Sequence, residues 1–157
     1  MMDIERILVP IDFSEPSLAV LDDAVEFSRP YEARLTILYV VEGGSSASPL
    51  LVDGTALGER EKTAAEKKLA RLAEQIAKRG IECITLLRFG VAHAEILATA
   101  KRIKANLIIM STHGRTGLAH VLIGSVAERV VREATCPVMT IRTAERSRSG
   151  GRSGPGR

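Results

Sequence analysis

Short continuous apolar runs alternate along this chain with longer stretches in which apolar residues recur every three or four positions. Runs of the first kind lie at 6–12 (RILVPID), 33–41 (ARLTILYVV), 81–89 (IECITLLRF), 105–112 (ANLIIMST) and 137–142 (PVMTIR). They are rich in Ile, Val and Leu and bounded by turn residues, as buried parallel strands are. The periodic stretches predict helices. Ser14 offers an N-cap and Pro16 suits a first turn, after which Leu18, Leu21 and Val25 recur on one face, widened by Val20, Ala24 and Phe27, until Pro30. A second helix spans 59–78, with Ala64, Ala65, Leu69, Leu72, Ala73 and Ile76 on one side and Glu61, Lys67, Lys68 and Arg71 opposite, and Gly80 stops it. A third follows Gly90 and carries Ile96, Leu97, Ala100 and Ile103, and a fourth spans 125–134. The stretch 42–58 has neither period and reads as a long loop.

Strands that alternate with helices predict a parallel sheet with helices on both faces. The expected fold class is α/β: a single-domain, Rossmann-like, open five-stranded sheet of order 3-2-1-4-5. In such sheets ligands bind beyond the carboxyl ends of the strands, at the point where the strand order reverses. That rule selects Pro10, Ile11 and Asp12 from the first strand, Val40 and Val41 from the second, and Met110 and Ser111 from the fourth. The three segments converge if the first and fourth strands are neighbours, as the order 3-2-1-4-5 provides.

The fourth strand runs into STHGRTGLAHVLIGS, residues 111–125, which places Gly114, Gly117 and Gly124 between a strand and a helix. A helix N-terminus presents unsatisfied N–H groups and the positive end of its dipole, and glycines let the backbone approach an anion closely. Two readings coexist. In one the loop cradles phosphates, with Arg115 as a charge-assisted donor to a terminal phosphate. In the other Ser125 and Glu128 form a capping box and Arg115 is a solvated loop residue. His113 and His120 flank the loop without an evident Asp or Cys partner, which gives no catalytic set.

Charge and composition narrow the partners. After Ala144 there are four arginines against Glu145, a net +3 that accounts for the +3 of all 157 residues, so 1–143 is formally neutral. The tail 144–157 is Gly, Ser and Arg with no apolar residue to pack beyond Ala144, and is expected to be disordered. A neutral domain lacks the basic face of a nucleic-acid-binding fold, and no specific nucleic acid is expected. No apolar run approaches the roughly 20 residues of a membrane-spanning helix, and the start MMDIERILVP does not resemble a signal peptide, so a cytoplasmic protein away from membranes is expected. Cys83 and Cys136 have no metal-ligand spacing with the three histidines and read as buried free thiols. A G-x-x-x-x-G-K-[ST] loop, G-x-G-x-x-G and G-x-S-x-G are all absent, which removes the established hydrolytic and transfer constellations.

The segments VPIDFS, IIMSTHGRTGL and LIGSVAERVVREATCPVMTIR, with the order of elements, resemble the universal stress protein family over residues 3–143. Nucleotide-binding members carry Gly, two residues, Gly, nine residues, then Gly and Ser or Thr. Here the pattern is Ser111, two residues, Gly114, nine residues, Gly124, Ser125, so Ser111 stands in place of the first glycine. The resemblance implies ATP as the ligand, and Mg or Mn could bridge its phosphates with few protein ligands. Asp12 then takes the ribose or adenine side, Val40 packs on the base, and Gly114, Gly124, Ser125 and Val126 surround the phosphates. Asp12 could equally cap the helix near Ser14. Ser111 either tolerates the ligand, with a hydroxyl able to donate to phosphate, or crowds it with its Cβ. The family also implies a homodimer paired through the last strand, 137–142, whose apolar edge invites pairing; Met139→Pro is expected to weaken it. The functions implied are a dimeric, ATP-binding stress sensor or regulator, a slow ATPase or autokinase, or a nucleotide-free interaction module.

Overall fold

The structure, a computed structural model, describes residues 3–42, 56–114 and 123–143. Strands β1 (Arg6–Ile11), β2 (Arg34–Val41), β3 (Cys83–Phe89), β4 (Leu107–Ser111) and β5 (Val138–Ile141) form one sheet. Every pairing is parallel and the order is β3-β2-β1-β4-β5, as the alternation of patterns predicts. Parallel neighbours need crossovers, which run through helices α1 (Glu15–Ser28), α2 (Ala56–Ala77), α3 (Ala92–Arg102) and α4 (Ser125–Glu133).

The continuous apolar runs have their reason in burial on both faces of the sheet. Ile7, Val9 and Ile11 of β1 pack with Val20, Leu21 and Val25 of α1 and with Leu69 and Ile76 of α2. Leu8 faces the other layer, with Leu38, Ile108, Met110, Ile96 of α3 and Val130 of α4. Each such side chain, fully buried, contributes about 1.5–3 kcal/mol. Ser14 caps α1, its hydroxyl accepting from Ser17 N–H at 3.4 Å, with Pro16 in the first turn. A 3-10 turn, Arg29–Tyr31, follows α1 and ends at left-handed Glu32.

Several expectations shift. Helix α2 begins at Ala56, three residues before the expected 59, because its apolar period starts only further on and left the first turn without a signal. Of the expected loop 42–58, residues 43–55 lie outside the described residues, as does the tail 144–157. The thiols of Cys83 and Cys136 are free but half-buried rather than buried. Burial still pushes Cys83 up to about 11 and raises Cys136, so both are held as thiols.

The ladder also fixes which backbone groups of β5 face away from β4. Ile108 N–H donates to the Pro137 carbonyl and Thr112 N–H to the Ile141 carbonyl. Backbone groups alternate sides along a strand, so Met139 turns its N–H toward β4, and Val138 and Thr140 present theirs outward. Met139→Pro therefore breaks the β4–β5 pairing itself, and Thr140 is the residue whose substitution addresses the outer edge. Among the described residues no helix is long and apolar enough to cross a membrane.

Candidate functional site

A cleft of about 760 Å³ opens at the carboxyl ends of β1, β2 and β4, within the size range of small-molecule sites. Pro10, Ile11, Asp12, Val40, Met110, Ser111, Gly114, Gly124, Ser125 and Val126 all line it. Arg115 and Gly117 lie outside the described residues. The strand order brings these segments together, since β1 lies between β2 and β4.

Asp12 follows β1 directly. Its Oδ1 accepts the Ser14 N–H at 2.9 Å, and its own N–H donates to Ser17 Oγ at 3.3 Å. Asp12 therefore braces the turn into α1, and Ser14 is the helix cap. The other carboxylate oxygen lies against Gly114, where a Cβ built on the glycine would stand 2.8 Å from Oδ2. A side chain at 114 would collide with the carboxylate, so the absence of one lets loop and strand end meet.

Gly124 closes the loop at its far end. Its N–H donates to the Thr112 carbonyl at 2.6 Å, and an added Cβ would lie 3.0 Å from that same oxygen. The glycine is also the N-cap of α4, with extended backbone and no side-chain cap. This corrects the capping box expected at Ser125. Glu128 N–H donates to the Gly124 carbonyl, while the Glu128 carboxylate pairs with Arg132 at 3.0 Å. The cap sits one residue earlier because the extended Gly124 already supplies the carbonyl that starts the helix. Ser125, Val126 and Ala127 thus form the first turn, whose N–H groups have no intrahelical acceptor, and all three line the cleft.

Ser111 ends β4, buried at 8% exposure. The described non-glycine residues with positive φ are Phe13, Glu32 and Lys104, so Ser111 stands in a conformation open to any residue. Its hydroxyl donates to the His113 carbonyl at 2.7 Å and accepts the His113 N–H at 3.2 Å, bracing the loop from within. Thr112 Oγ1 and His113 Nδ1 share a further hydrogen bond of 2.8 Å.

The cleft extends past what the strand-end rule selects. Tyr39 and Val40 point to opposite faces of the sheet, Tyr39 to the α1–α2 layer and Val40 to the α3–α4 layer, yet both line the cleft. The cleft wraps the sheet's edge. On the α2 side it meets Glu61, Ala64 and Lys68, spaced to share one helix face. Glu61 and Lys68 had the pattern of a solvated stripe, and periodicity within one helix carries no record of what it overhangs. Phe13, Ala92 and Ile96 are further lining residues without a signal of their own. Glu42 Oε1 accepts the Ala92 N–H at 3.0 Å, tying the end of β2 to the start of α3. Among the described residues no cluster of His, Cys, Asp or Glu could hold a metal ion.

An open parallel sheet with a cleft at its switch point, where a strand-end carboxylate meets close-approach glycines and a helix N-terminus, is the arrangement in which α/β domains bind ligands. The chain matches the universal stress protein family over residues 3–142 and belongs to it. It is 34% identical over 146 residues to a universal stress protein of Methanocaldococcus jannaschii, MJ0531, covering 88% of this chain and 82% of that one. The fold is that of the universal stress protein UspA from Lactobacillus plantarum, with TM-score 0.78, 28% identity, and 88% of this chain and 97% of that chain covered. A more remote structure of the same fold, a universal stress protein solved in complex with cAMP, has TM-score 0.67 at 22% identity, over 90% of this chain and 99% of that one.

Proposed function

We propose that this universal stress protein binds ATP in the switch-point cleft and acts as a homodimeric sensor or regulator in the stress response. The observation that carries the reading is convergence: Asp12, Val40, Gly114, Gly124, Ser125 and Val126, selected on separate segments by the resemblance, line one cleft. In this reading Asp12 accepts a ribose hydroxyl, Val40 packs on the base, and the glycines with the first turn of α4 receive the phosphates. Mg or Mn arrives with the phosphates, which need few protein ligands for it. Ser111 is compatible with a ligand, because its backbone needs no glycine and its hydroxyl is engaged by the His113 carbonyl.

Calorimetric titration with ATP and magnesium tests the reading, with ADP release followed in parallel. One nucleotide bound per chain without steady turnover is the expected result. Steady turnover would make the protein a slow ATPase or autokinase, and no binding would make it an interaction module on a nucleotide-binding fold.

Dimerisation is assigned to the outer edge of β5, where the strand's side chains are half-buried and Val138 and Thr140 present backbone groups. Thr140→Pro removes an outward donor while leaving the β4 pairing. Light scattering should report a smaller mass for this variant than for the parent; an unchanged mass excludes the edge as the interface.

A further inference from the structure

Left-handed backbone at Glu32 and Lys104 follows the ends of helical segments, where chains commonly take that conformation. Phe13 is different. With φ of 61° it is a bulky residue in a region that such residues avoid, and it sits in the cleft between the strand end and the cap of α1.

The surroundings hold it there. Its ring meets Tyr39 edge to face, centroids 4.8 Å apart at 72°, and Lys68 Nζ of α2 stands 5.2 Å from its centroid. The kink at Phe13 lets the chain double back at Asp12, so that Asp12 N–H reaches Ser17 Oγ and its carboxylate takes the Ser14 N–H on one oxygen while the other lies against Gly114.

From this we infer that Phe13 is a positioning residue: its left-handed backbone, pinned by Tyr39 and Lys68, fixes the Asp12 carboxylate at the phosphate-loop glycine. Its bearing on affinity rests on the proposed ribose role of Asp12. Helix α2 is thereby coupled to Asp12 through the Phe13 ring.

The test compares Phe13→Gly, which keeps the left-handed conformation open but removes the ring, Phe13→Ala, which removes the ring and keeps the backbone cost, and Phe13→Tyr as the conservative variant. ATP and 2′,3′-dideoxy-ATP are titrated into each, and Ser14 amide exchange is measured without nucleotide. Phe13→Gly and Phe13→Ala should weaken ATP about tenfold, the scale of a hydrogen bond to a charged group, and leave the dideoxy nucleotide unaffected. Phe13→Tyr should restore ATP affinity, and in an Asp12→Asn background the Phe13 changes should add nothing. Ser14 exchange should speed up about tenfold while Val20 and Leu21 keep their protection. Equal losses for both nucleotides would overturn the inference, since the ring would then contact ligand or support the fold generally. Should the parent bind no ATP, the nucleotide reading fails by itself, and the exchange data decide the positioning role alone: unchanged Ser14 protection overturns it. Phe13→Gly keeps the comparison intact if Phe13→Ala does not fold.

Discussion

The two walls of the cleft are made differently. One is the strand-end floor of Pro10, Ile11 and Val40, set over side chains such as Leu38 and Ile108 that are fully buried. The other is the glycine wall of 111–114 and 124–126, held by close approaches: Gly124 N–H on the Thr112 carbonyl, and the Asp12 carboxylate against Gly114. A packed floor constrains volume and accepts changes of identity; at the glycine wall one added methyl group meets the Asp12 carboxylate or the Thr112 carbonyl. Sequence patterns report the first through hydrophobic period and the second through glycines at fixed spacing.

The difference can be broken from either side. Leu38→Ala removes a fully buried side chain beneath Val40 and is expected to lose about 2–5 kcal/mol of stability in urea unfolding, the largest effect here. Gly114→Ala should cost about 1–3 kcal/mol, taken from ligand affinity more than from stability if the Asp12 carboxylate yields to the new Cβ. A thermal melt beside an ATP titration separates the two; a lower melting temperature with unchanged affinity would place Asp12 outside the ligand's reach. Ser14→Ala removes the cap of α1 and is expected to cost about 1 kcal/mol in unfolding experiments, with a small loss of affinity through the Asp12 turn.

The smallest effect lies outside both walls and serves as the reference. Arg79, in the turn after α2, pairs with Asp22 of α1 at 2.7 Å and Glu26 of α1 at 2.9 Å. The hydrogen bond from Arg79 holds the Glu26 carboxyl below its ordinary 4.5. A depressed carboxyl stabilises the fold above the unfolded value and loses that contribution as pH falls through the folded value. The stability difference between the parent and Arg79→Met should therefore shrink as the solution is acidified below 4.5, with ATP affinity at neutral pH unchanged. A difference that grows on acidification would contradict the assignment.

Strand order and helix positions were legible because burial on both faces writes continuous apolar runs into strands such as 6–12 and 105–112, while one-sided burial writes a helical period into α1. The strand-end residues of the cleft followed from topology. Less legible were features set by neighbours distant in sequence. Lys68 and Glu61 share the polar pattern of a solvated helix face, and only the packing of α2 against β3 and β2 brings them to the cleft. The left-handed Phe13 follows Asp12 without glycine or asparagine to mark it. The cap of α4 moved from Ser125 to Gly124 because an extended glycine serves as well as a hydroxyl residue, and a capping-box pattern describes chemistry that its backbone need not use.

The central claim, an adenine nucleotide held between Asp12 and the glycine wall, meets its most direct test in the protein purified without added nucleotide. Denaturing it and identifying the released small molecules by chromatography and mass should yield adenine nucleotide at a substantial fraction of one per chain. Gly124→Asp places a carboxylate beside the Thr112 carbonyl at the start of α4 and should release none while retaining its helical circular dichroism. Release of no nucleotide by the parent, together with no binding of added ATP and magnesium, would contradict the account; so would equal amounts from the parent and from folded Gly124→Asp.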